Sequence, residues 1–87
     1  MRKRFTFYGL VQGIGFRSIA RRMANNLGIS GWVRNNEEGG VTLVAEGEKE
    51  DIEIMLSRLK NLFQENIEKI DETIEKEEGL LDFEVKI

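Results

Sequence analysis

The sequence predicts an α+β sandwich, with two helices on one face of an antiparallel sheet. Three observations carry this. Apolar residues twice recur at helical spacing, over Phe16–Leu27 and over Ile52–Phe63. Around these two stretches lie short segments in which apolar and polar residues alternate with a period of two, as in half-buried strands. Glycine and asparagine stand between the segments, where turns belong.

The elements follow in order. Arg4 to Val11 is rich in Phe, Thr, Tyr and Val and reads as a strand. A helix is expected from about Ser18 to Leu27, with Phe16, Ile19, Ala20, Met23, Ala24 and Leu27 on one face and Gly28 as its C-terminal cap. Ile29 to Asn35 reads as the second strand. The polar turn Asn36–Gly40 joins it to Val41–Glu46, where Val41, Leu43 and Ala45 should face the core and Thr42, Val44 and Glu46 should not. Acids at 48, 50 and 51 suit the first turn of the next helix. Its buried stripe would be Ile52, Met55, Leu56, Leu59, Leu62 and Phe63.

Residues 64–79 are ambiguous. Ile67, Ile70 and Ile74 fit a helix by spacing, while Ile70 and Ile74 would also share one face of a strand. Leu81, Phe83, Val85 and Ile87 alternate with polar residues and close the chain as a one-sided strand. The resulting order, β-α-β-β-α-β plus a short C-terminal strand, is the ferredoxin-like split βαβ arrangement, expected as one domain over residues 1–87. That fold hosts many functions and specifies none.

Composition narrows the chemistry. The 87 residues include no Cys, no His and no Pro. Disulfides and thiol nucleophiles are excluded, along with the usual general base and the commonest metal ligand. Any catalysis falls to Arg, Lys, Asn, carboxylates, hydroxyls, backbone groups or the substrate's own charge. No apolar run approaches the roughly 20 residues that span a bilayer, and no signal-peptide pattern follows Met1–Phe5. A cytoplasmic protein that neither binds nor crosses a membrane is the expectation. Charge is split along the chain. Residues 1–36 carry seven Arg and Lys and no acid, whereas residues 37–87 carry six against sixteen acids. The positive part could draw in an anion. Two opposed faces that aid solubility are the plainer alternative.

The stretch Gly9-Leu-Val-Gln-Gly-Ile-Gly-Phe-Arg17 lies where the first strand gives way to a helix. Its glycines can adopt positive φ and let the backbone approach a ligand closely. The helix start offers unpaired N–H groups and a partial positive charge. Together they form a cradle suited to a phosphate, and Arg17 adds a planar fork of donors. Ser18 reads as a helix-start hydroxyl and Trp32 as a packing residue.

These residues resemble the acylphosphatase family. Its members show a G-x-V-Q-G-V-x-F-R loop and, after a helix, an L-G-x-x-G-W-V-x-N segment. Here Gly9–Arg17 matches the first, with Ile14 at the usual Val, and Leu27-Gly-Ile-Ser-Gly-Trp-Val-Arg-Asn35 matches the second at the family's separation. The resemblance implies hydrolysis of the carboxyl–phosphate bond of a small acyl phosphate, without metal or organic cofactor; a monomer is expected. It implies that Arg17 binds the substrate phosphate and that Asn35 orients the attacking water. It also implies that the amides of Gln12, Gly13, Ile14, Gly15 and Phe16 surround the phosphate.

Two other readings stand beside this one. Similar domains begin large carbamoyl-transferring hydrogenase-maturation proteins, where the site would serve carbamoyl phosphate. The other is a small nucleic-acid-binding module. It would use Arg2, Lys3, Arg4, Arg21, Arg22 and Arg34 as a basic surface, with Phe5, Phe7 and Tyr8 for stacking. No nucleic-acid partner is expected.

Overall fold

The computed structural model describes residues 1–87, ordered as β1 (Arg2–Gly9), α1 (Phe16–Leu27), β2 (Ser30–Asn35), β3 (Val41–Glu46), α2 (Lys49–Leu62), β4 (Ile67–Glu75) and β5 (Phe83–Lys86). The strands form one sheet in the order β4-β1-β3-β2-β5. The first four strands are antiparallel, as expected. The C-terminal strand is the exception: β5 runs parallel to β2, with Gly31 opposite Phe83 and Val33 opposite Val85, so the sheet as a whole is mixed. A parallel edge needs a crossover connection, and residues 76–82 supply it by passing from one edge of the sheet to the other.

One face of the sheet meets both helices. Phe5, Phe7, Val33, Val41, Leu43 and Ala45 form a buried cluster with Phe16, Ala20 and Ala24 of α1 and with Ile52, Met55 and Leu59 of α2. The alanines of α1 recur every fourth residue below Phe16 and let that helix lie close on the sheet. Phe16 stacks between Phe7 and Phe63, with ring centroids 4.9 and 4.8 Å away. Of the stripe expected on α2, Leu62 is exposed at 56%, because it falls at the last turn beyond the sheet's cover.

The ambiguous stretch is a strand. β4 pairs with β1 from Arg2 opposite Glu75 to Phe7 opposite Ile70. Its acids have partners: Glu72 accepts from Lys3 at 2.9 Å, and Glu75 accepts from Arg2 at 3.0 Å and from Arg4 at 2.6 Å. At the other end of the chain, Leu81 and Ile87 are exposed and β5 is only four residues long, so the expected one-sided strand is real but short.

β3 departs from its expected one-sided pattern, since all six of its residues are buried. It is the central strand, and its second face is covered too. Thr42 donates to Asn36 Oδ1, and Val44 lies in register between Arg4 and Trp32. Glu46 sits under the 76–82 crossover, where the N–H groups of Glu78, Gly79 and Leu80 donate to its carboxylate at 2.7, 3.0 and 2.8 Å. Arg2 Nη1 donates to it as well, at 2.9 Å. Burial by itself would raise the Glu46 carboxyl. The donors from Glu78, Arg2 and Leu80 outweigh that and hold it down at about 2. Trp32 is half-buried on this same open face, beneath Arg4, Arg34 and Lys86.

Gly31 is where two strands touch. Its φ is +147°, and a Cβ there would fall on the Val44 carbonyl oxygen of β3.

Candidate active site

The β1–α1 loop builds the site from backbone. Gly13 and Gly15 have φ of +75° and +82°, left-handed values that reverse the chain twice within three residues. Gly15 is the N-cap of α1, with no side-chain cap, so the helix opens at Phe16, two residues earlier than the sequence pattern indicates. None of the N–H groups from Val11 to Ser18 enters a backbone hydrogen bond. These free donors run up to the positive end of the α1 dipole, and no acid lies in the first turn to oppose an anion there.

Three side chains fix this backbone. Phe16 buries its ring among Phe7 and Phe63, which ties the start of the helix to the core. Gln12 Nε2 donates to the carbonyls of Asn36 and Gly40, at 2.8 and 2.9 Å, and ties the loop to the β2–β3 turn. Arg17 Nη1 donates to the Lys86 carbonyl at 3.1 Å, which holds the guanidinium against β5. A guanidinium has five N–H donors, so the rest of the fork stays free for a ligand.

A cavity of about 120 Å³ joins these parts, lined by Val11, Gly13, Gly15, Phe16, Arg17, Ser18, Asn35 and Val85. Of the residues expected from sequence, Gly13, Gly15, Phe16, Arg17 and Asn35 meet here. Asn35 is brought in by its place as the last residue of β2. Gln12 and Ile14 do not line the cavity. The Gln12 side chain turns to the hairpin, and Ile14 is partly exposed at the loop tip. Sequence reasoning assigned no role at the site to Val11 or Val85, whose apolar walls frame the cavity, nor to the Lys86 carbonyl. Alternation could have marked Val85 as inward-facing, but nothing in the sequence shows that β5 ends beside Arg17.

Of the basic residues considered for a nucleic-acid surface, Arg2, Lys3 and Arg4 are taken up by acids. Arg2 is buried against Glu46 and Glu75, while Lys3 and Arg4 pair with Glu72 and Glu75. Phe5 and Phe7 lie in the core. Tyr8 donates to Asp71 at 3.0 Å, and that hydrogen bond raises its hydroxyl pKa above the ordinary value. No helix is long and apolar enough to cross a membrane.

Known proteins resemble this chain over nearly its whole length. The acylphosphatase family profile matches residues 3–85. An acylphosphatase of Thermoplasma volcanium is 38% identical over 85 residues, covering 97% of this chain and 94% of that protein. The crystal structure of acylphosphatase from Bacillus subtilis superposes with a TM-score of 0.89 at 27% identity, covering 99% of this chain and 98% of that one. A full-length HypF in its phosphate- and nucleotide-bound form is similar over 98% of this chain but only 11% of its own, with a TM-score of 0.82 and 25% identity. With a family match over nearly its whole length and a relative aligned almost end to end, the chain belongs to the acylphosphatase family.

Proposed function

We propose that the chain hydrolyses acyl phosphates in the cavity between the β1–α1 loop and Asn35. Arg17 and the loop amides hold the phosphoryl group, and Asn35 orients the attacking water. The observation that carries this is the convergence of Gly13, Gly15, Phe16, Arg17 and Asn35 on one cavity. The N–H groups of residues 11–18, which enter no backbone hydrogen bond, add to it as donors available to the phosphoryl oxygens. The Thermoplasma volcanium acylphosphatase, matched over 94% of its length, favours the hydrolytic reading over carbamoyl transfer.

The reaction balances without a protein base. The water oxygen bonds to phosphorus as the bond from phosphorus to the carboxyl oxygen breaks, and the acyl group leaves as its carboxylate. A non-bridging phosphoryl oxygen takes one proton of the water, so the second product is dihydrogen phosphate. Phosphoryl transfer asks little covalent help from a protein, so charge stabilisation and positioning can supply the rate. The reading needs no metal, because positive potential at the phosphate comes from Arg17 and the α1 terminus. It is of a monomer working in the cytoplasm on a small molecule.

Hydrolysis of benzoyl phosphate at neutral pH, with a chelator present, tests the assignment. Wild type should turn over. Folded Arg17→Ala and Asn35→Ala should each lose about 100-fold or more, the scale of removing a preorganised group that stabilises the transition state. A folded wild type that leaves benzoyl phosphate intact would sink the proposal.

A further inference from the structure

The catalytic cavity is much smaller than the roughly 300–1,000 Å³ that enclose a drug-sized ligand, so the acyl part of any substrate must lie outside it. Two clefts adjoin it. One, lined by Arg34, Asn35, Asn36, Glu37, Glu38 and Ile87, shares only Asn35 with the cavity. The other is a groove of about 310 Å³ lined by Ser18, Arg21, Arg22, Asn25 and Val85, and it shares Ser18 and Val85. Attacking and leaving oxygens stand roughly in line across phosphorus. With the water held by Asn35, the leaving group departs away from Asn35. That favours the groove, which does not include Asn35, over the cleft that does.

The groove carries unopposed charge. Arg17, Arg21 and Arg22 take part in none of the ion pairs of the structure, and α1 contains no acid. Arg17 and Arg21 stand four apart, a like-charged spacing that works against a helix. Arg17 lies in the first turn of α1, where the macrodipole also disfavours a cation. Arg17 has the phosphate to answer for it. Arg21 and Arg22 lie a little over one turn further along, on the order of 6–8 Å from Arg17 measured along the axis.

Resting on the hydrolytic reading above, we propose that this groove receives the acyl group and that Arg21 and Arg22 select acyl phosphates bearing a second anion at the far end of the acyl chain. The substrate class is then the monophosphate anhydrides of dicarboxylic acids, or acyl phosphates with a distal phosphate. Asn25 and Ser18 line the groove between and beyond the two charges, and Val85 gives the acyl carbons an apolar wall.

Paired substrates test this. Benzoyl phosphate and 4-carboxybenzoyl phosphate differ by one carboxylate, which the rigid ring keeps from attacking its own anhydride. Wild type should prefer the carboxylated substrate in kcat/KM at low salt, with the preference shrinking as salt rises. In Arg21→Gln/Arg22→Gln the carboxylated substrate should lose at least 10-fold more kcat/KM than benzoyl phosphate does, mostly through KM. Arg21→Glu/Arg22→Glu should invert the preference. A substrate ratio that stays the same in wild type and both variants overturns the inference and leaves the hydrolytic reading standing. A wild type that hydrolyses neither substrate overturns both.

Discussion

Replacing Glu46 by Gln keeps the shape of a buried side chain and removes its charge. The carboxylate accepts from Arg2 and from three successive N–H groups of the crossover. A Gln amide would turn an NH2 group toward some of those donors, which leaves buried groups unpaired. The magnitude comes from the carboxyl itself. Its ordinary value of 4.5 falls to about 2 in the fold. At about 1.4 kcal/mol per pH unit, that interval corresponds to about 3 kcal/mol. A folded-state value below the unfolded one stabilises the protein above pH 4.5, and this contribution is lost as pH falls through 2. Against roughly 4–13 kcal/mol expected for a chain of 87 residues, the loss is large. Urea unfolding followed by Trp32 fluorescence should show Glu46→Gln less stable than wild type by about 3 kcal/mol at pH 7. The gap should narrow to about 1.5 kcal/mol at pH 3 and nearly close at pH 2. A gap of constant size across that range would refute the reasoning, since it would mean that shape rather than charge holds the crossover.

Three further outcomes follow from the packing. Gly31→Ala would drive a methyl group into the Val44 carbonyl at a φ of +147° and should cost several kcal/mol, about as much as the most disruptive core changes, read as loss of the cooperative unfolding transition. Gly15→Ala meets no atom within 4 Å but must hold φ at +82°, so it should cost only about 1–2 kcal/mol of stability. Its activity should fall much further than its thermal midpoint, because the cradle amides turn with that residue. Phe16→Ala empties a site between two rings and should cost about 3–5 kcal/mol by chemical denaturation, with activity lost in step as the loop loses its anchor.

Much of this was legible in the sequence because local pattern and tertiary role agree. The α1 face, the Gly28 cap and the β2–β3 hairpin were readable for that reason, as were the loop glycines with Arg17. β4 was not. Its isoleucines fit two periods, and its acids argue against a strand until Arg2, Lys3 and Arg4 are placed beside them by the pairing with β1. The burial of Glu46 was also hidden, because it depends on a crossover some thirty residues downstream. At the site, the residue types were evident, but their supports were not. The Gln12 bonds to the hairpin and the Arg17 bond to Lys86 span 24 to 69 residues, beyond the reach of any local signal.

The strand order β4-β1-β3-β2-β5 also sets a timetable for folding. Only β2 and β3 are neighbours both in sequence and in the sheet. β1 must wait for β3 on one side and for β4 on the other, where Arg2 meets Glu75. Such distant closures slow folding relative to helical bundles, whose contacts are local. During synthesis the β1–α1 loop leaves the ribosome early, yet the strand that carries it gains its second neighbour only after residue 75 has emerged. Until then β1 presents an open edge with Phe5 and Phe7 beside it, and that interval is when the nascent chain is most exposed to pairing with the wrong partner.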